Sequence, residues 1–113
     1  MTPPDLLAAL SKATGPDRAL DAEIATITGW RYVVALDGAH REWRTPEDRP
    51  AALPFYTASI EAALTVVPEG FDWIIGNTNG GLTPHACVGS LKEHFGATPV
   101  LSLLIAAICA RFP

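Results

Sequence analysis

Cysteine is almost missing from this chain, with only Cys87 and Cys109 among 113 residues. Two thiols cannot build the dense disulfide framework of a small secreted domain. The start, Met1-Thr2-Pro3-Pro4-Asp5, has no basic region followed by an apolar run. The expected location is therefore a reducing cytoplasm, with both thiols acting as small buried hydrophobes. Basic residues are also scarce, eight Lys and Arg against twelve Asp and Glu, for a formal net charge of −4. A protein that grips a phosphate backbone over a broad face needs clustered cations to release counterions, so direct nucleic-acid binding is disfavoured. Internal repeats and low-complexity tracts are absent. So is a membrane-length apolar run. Residues 94–110 carry no Asp, Glu, Lys or Arg, but Gly96 and Pro99 interrupt them. The helical part left, Pro99 to Phe112, falls short of the roughly 20 residues a spanning helix needs.

What is present is a core-forming composition, 49% hydrophobic and 18% charged. That balance excludes disorder for most of the chain, and the length fits one domain over residues 1–113. Three helix starts are marked by Thr or Gly before Pro: Thr2-Pro3, Gly15-Pro16 and Thr98-Pro99. Such pairs supply a cap oxygen or a permissive turn, then a residue whose missing N–H costs nothing there. The first helix carries Leu6, Leu7 and Leu10; the second carries Leu20, Ile24 and Ile27 and stops at Gly29, with Asp17 and Asp21 toward its positive end. A further helix is expected from Thr57 to Val67, capped by Thr57, with Ile60, Ala63, Leu64 and Val67 buried and Pro68-Glu69-Gly70 ending it. Strand character marks Trp30 to Leu36, Phe71 to Gly76 and Pro84 to Leu91. The Asn77-Thr78-Asn79-Gly80-Gly81 run predicts an antiparallel hairpin between the last two. The order helix, helix, strand, helix, strand, strand, helix predicts an α+β fold, an α/β sandwich with a small, about three-stranded antiparallel sheet packed by helices.

Candidate chemistry is thin. His85, Cys87, His94 and Cys109 are of the ligand types zinc prefers, but they lack the paired spacing of two to four residues common in structural sites. No metal or other cofactor is therefore expected. Cys87 with His85 or His94 could form a nucleophile and base, but no third orienting carboxylate is evident. Carboxylate pairs drawn from Asp37, Glu42, Glu47 and Asp48 read more simply as a self-neutralising solvated face. The glycine-rich run at residues 76–81 lacks the Lys and the following helix of a P-loop, which leaves a hairpin turn.

Asp37 to Pro54 reads as one long irregular segment, holding seven of the chain's twenty formal charges and three prolines. Loops of that length are usually functional or disordered. Trp30 and Trp73 are expected in the core. Trp43 instead lies in His40-Arg41-Glu42-Trp43-Arg44, and Trp and Arg are enriched at binding hot spots. Arg41, Glu42, Trp43 and Arg44 are therefore the candidate binding residues, and no catalytic set is assigned. The alternative is that Trp43 folds back to pin the loop. Val100 to Ala110 is apolar around its whole circumference, so it must be wrapped by other helices or buried in a homodimer.

Three islands of the sequence resemble the small phage and prophage proteins of the phage ABA sandwich domain family. They are Ala13-Thr14-Gly15-Pro16-Asp17-Arg18 through Ala25 with Thr28-Gly29-Trp30; Pro54-Phe55-Tyr56-Thr57-Ala58-Ser59-Ile60-Glu61-Ala62-Ala63-Leu64 with Pro68-Glu69-Gly70; and Ala97-Thr98-Pro99-Val100-Leu101 through Ala107 with Arg111. Asp37 to Arg49 and Asn77 to Ser90 do not match the pattern. The resemblance implies an α/β sandwich encoded in phage or prophage genomes, and it brings no known activity, cofactor or catalytic set to carry over. The expected function is a non-enzymatic accessory protein that binds a host or phage protein complex, as an inhibitor of a host defence such as a CRISPR effector would. Two alternatives are a structural protein assembling through its last helix and a small enzyme using His85, Cys87 or His94.

Overall fold

A computed structural model describes residues 1–89 and 92–113. Its elements, in chain order, are α1 (Pro3–Lys12), α2 (Arg18–Ile27), β1 (Arg31–Val34), β2 (Arg41–Arg44), α3 (Ile60–Leu64), β3 (Trp73–Thr78), β4 (Thr83–Val88), β5 (His94–Phe95) and α4 (Pro99–Arg111). The fold is an α+β sandwich. Its antiparallel strands form two small sheets, a β1–β2 ribbon and a β3–β4–β5 sheet, where about three strands in one sheet were expected.

The caps explain where the helices begin. Thr2 accepts from the Asp5 amide while the Asp5 carboxylate reaches back to the Thr2 amide, a reciprocal capping box before Pro3. Thr98 caps α4 in the same sense, accepting from Leu101 N at 3.1 Å. In α2 the cap is Asp17, whose Oδ1 accepts from the Ala19 and Leu20 amides. The helix thus starts two residues after the Gly15-Pro16 pair that announced it. The α3 helix is shorter than expected and capped by Ser59. Starting there leaves Ile60 exposed, Leu64 and Val67 half-buried, and Ala63 and Val66 fully buried.

Thr57, expected as that cap, is buried and bonds backward to α2. Its amide and hydroxyl both donate to Asp21 Oδ1, at 2.7 and 2.8 Å, and its Oγ1 accepts from the Asp17 amide at 2.8 Å. The other Asp21 oxygen takes Arg18 Nη1 at 2.9 Å. Arg18 also donates to the carbonyls of Leu53 and Pro54, and its guanidinium lies 3.9 Å above the Phe55 ring. One buried carboxylate and one arginine therefore fasten residues 53–57 along α2.

At the centre lies α4. One side packs on the three-stranded sheet, mainly on β4 through Ala86 and Val88, and the other meets α1 and α3, with α2 against α1. Every residue from Leu101 to Ile108 is buried. Of the two ways of covering this apolar helix, wrapping by other elements of the chain is the one seen for residues 101–108. Ser102 is tolerated there because its hydroxyl donates to Thr98 O at 3.0 Å. Gly96 is required beside it: a Cβ would stand 2.9 Å from the Ser102 amide nitrogen, which the helix start cannot yield. No helix among the described residues is long and apolar enough to cross a membrane.

The radius of gyration is 14.7 Å and the longest extent 52 Å. A compact chain of this length would show about 13 Å. The excess comes from the hairpins, whose tips leave Leu36 and Leu82 at 101% and 85% exposure.

Candidate functional site

The charged segment expected to be irregular contains a strand. Asp37-Gly38 forms the tip of a hairpin, with Gly38 at φ 69° and Asp37 Oδ1 accepting from the Ala39 amide at 2.8 Å. Arg41 to Arg44 then runs back along β1 in the register Arg31↔Arg44, Tyr32↔Trp43, Val33↔Glu42, Val34↔Arg41. The chain turns again at Asp48, at φ 65°, and Pro50 bridges back to Arg44.

Because side chains alternate across a strand, this register sorts the candidate binding residues onto two faces. Glu42 and Arg44 share one face with Arg31. There Arg44 bonds Glu42 Oε2 at 3.2 Å and Asp48 Oδ1 at 2.8 Å, and Arg31 also pairs with Asp48. The Arg44 hydrogen bond and charge hold the Asp48 carboxyl below the usual carboxylate range. These charges neutralise one another and shape the turn.

The opposite face carries Arg41 and Trp43 with Tyr32 and Val34. Trp43 is half-buried, packed on the core at the ribbon's base and against the Tyr32 ring with centroids 5.1 Å apart. It therefore pins the ribbon as well as lining its surface. Tyr32 and Val34 are each more than half exposed. The Arg41 guanidinium makes no hydrogen bond or ion pair among the described residues. Sequence reading missed Tyr32 and Val34, although the Asp37-Gly38 turn between two alternating runs was the signal for them.

The four His and Cys candidates divide by the same rule. His85 and Cys87 lie on the outer face of the three-stranded sheet, where the His85 ring rests over Gly76 and its Nδ1 meets Glu93 Oε1 at 3.0 Å. His94 pairs in register with the fully buried Ala86 and so shares the α4 side. Cys109 is on α4 itself. Both cysteines are half-buried rather than buried, and they form no disulfide. Burial pushes the Cys109 thiol up, against the Lys92 charge. No three His, Cys, Asp or Glu side chains among the described residues are grouped as metal ligands would be. The expected strand end at Ser90 and Leu91 lies outside the described residues. Trp30 is half-buried against the core, whereas Trp73 is 46% exposed because β3 is an edge strand and α4 lies mainly over β4.

His94 gives the sheet a pH dependence. Burial first, and Lys92 second, hold its pKa below the ordinary imidazole value of 6.5. The unfolded chain therefore takes up this proton before the folded one does. The stability contributed by neutral His94 is complete above that value and is lost as the pH falls below it. Melting temperatures measured from about pH 7.5 to about pH 5 are expected to fall less steeply for His94→Gln than for the natural chain.

Comparison of the chain with protein-family models, with curated proteins and with solved structures gives no match.

Proposed function

We propose that the protein is a non-enzymatic binding module that engages a macromolecular partner through the Tyr32, Val34, Arg41 and Trp43 face of the ribbon. The observation that carries this reading is the division of the ribbon into a self-paired charged face and a face of exposed apolar groups beside an unpaired guanidinium. Aromatic and Arg side chains contribute most where water is excluded on docking, and here they stand on a paired two-stranded element. The half-burial of Trp43 adds support, since a partly fixed indole has less rotamer freedom to lose on binding.

The resemblance to phage ABA sandwich domain proteins nominates a host or phage protein complex as the partner. The net charge of −4 suits an inhibitor that faces the basic nucleic-acid channel of a defence effector such as a CRISPR complex. A cytoplasmic site of action follows from that reading.

The test is capture from a host lysate, read by mass spectrometry. The variant Arg41→Ala, which breaks no hydrogen bond or ion pair among the described residues, is expected to reduce recovery of the partner by at least tenfold, a magnitude typical of hot-spot loss, with an unchanged melting temperature. Equal recovery would remove the ribbon face from the proposal. Trp43→Ala is a poorer probe, because its packing on the core makes it lower the melting temperature as well.

A further inference from the structure

A cleft of 350 Å³ opens where the base of the ribbon meets the body, and its walls include Thr28, Trp30, Glu47, Tyr56, Thr65 and Arg111. None of His85, Cys87 or His94 lines it. At roughly 30 Å³ per water it has room for about ten waters, or about ten non-hydrogen atoms of a ligand. That volume falls at the small end of the usual range for ligand sites.

Two charges of opposite sign line this one cleft without meeting each other. Glu47 forms no ion pair or hydrogen bond among the described residues. Arg111 uses its Nε, which donates to Val66 O at 3.0 Å, and its terminal amino groups bond no other described residue. The hydroxyls that line the same cleft are satisfied within the chain. Thr28 Oγ1 donates to Ile24 O at 2.9 Å and Thr65 Oγ1 to Ala62 O at 2.6 Å, and both hydroxyls also bond the Tyr56 hydroxyl. Tyr56 is itself buried, at the floor of the cleft. Trp30, with Ala62 and Val66, supplies an apolar wall.

We propose that this cleft binds a small zwitterion, a free α-amino acid with an apolar side chain. Its carboxylate is held by the Arg111 terminal amino groups, its ammonium by Glu47, and its side chain by the indole wall. Charge-assisted hydrogen bonds of this kind are about twice as strong as neutral ones and explain why both ends are read. The proposal stands apart from the partner surface on the ribbon.

Titration by NMR, following the Trp30 indole resonance assigned with Trp30→Phe, tests it with named probes. L-leucine and L-phenylalanine are compared with 3-phenylpropionate, which lacks the ammonium, and phenethylamine, which lacks the carboxylate. At least one amino acid is expected to bind at millimolar concentration or below, and phenylpropionate and phenethylamine at least tenfold more weakly than phenylalanine or leucine, the cost of one unpaired charged group. Glu47→Gln, which breaks no bond within the folded chain, is expected to abolish the preference for amino acid over carboxylate. Failure of both amino acids to shift the indole overturns the proposal, as does equal binding of the analogues or an unaltered preference in Glu47→Gln.

Discussion

Replacing Asp21 by alanine is expected to lower the unfolding free energy by about 3 kcal/mol, the cost of stranding hydrogen-bond donors that a buried carboxylate satisfies. The side chain is 1% exposed and accepts three hydrogen bonds, from the Thr57 amide, the Thr57 hydroxyl and Arg18. Alanine would strand the Thr57 amide where water cannot reach it and leave Arg18 without its counter-charge. Asp21→Asn keeps an acceptor for the Thr57 amide and is expected to fall between the two. Thr57→Val removes only the hydroxyl and is expected to cost about 1–2 kcal/mol. Urea midpoints for the three variants check the order. A loss for Asp21→Ala no greater than that for Thr57→Val would show that the carboxylate is not the keystone of the 53–57 attachment.

Leu104→Ala is expected to cost about 3 kcal/mol, or roughly 10–15 °C in melting temperature. Leu104 is fully buried on a helix whose surroundings close on it from the sheet and from α1 and α3. A methyl cannot refill that space, and neighbours held from two layers cannot collapse into it. Ile60→Ala, at an apolar position that is 42% exposed, serves as the contrast and is expected to cost well under about 1 kcal/mol. Thermal melts of the two variants at one pH give the comparison directly.

Local chemistry was legible in the sequence. Thr2-Pro3 and Thr98-Pro99 announce their helices because a cap oxygen and a proline act within one turn, and Asn79-Gly80-Gly81 announces its hairpin because all three residues take positive φ. What escaped was chemistry acting at a distance. Thr57 resembled a helix cap, but its partners, Asp17 and Asp21, lie 40 and 36 residues earlier in the chain. Charge density hid β2, whose period-two alternation places Arg41 and Trp43 opposite Val34 and Tyr32. A dense set of charges reads as solvated loop unless its partner strand is recognised. The proposed cleft was invisible for the same reason: Thr28, Glu47 and Arg111 come from well-separated stretches and meet only through the fold.

The burial of α4 on every side has a consequence for how the chain acquires its structure during synthesis. The segments that flank this helix, α1, α3 and the three strands, are all translated before it. Until Pro99 to Arg111 clears the ribosome, Leu6, Leu10, Ala63 and Val88 lack the helix that they share as a packing partner in the finished core. The layers on either side of α4 can therefore close on each other only after that helix has been made.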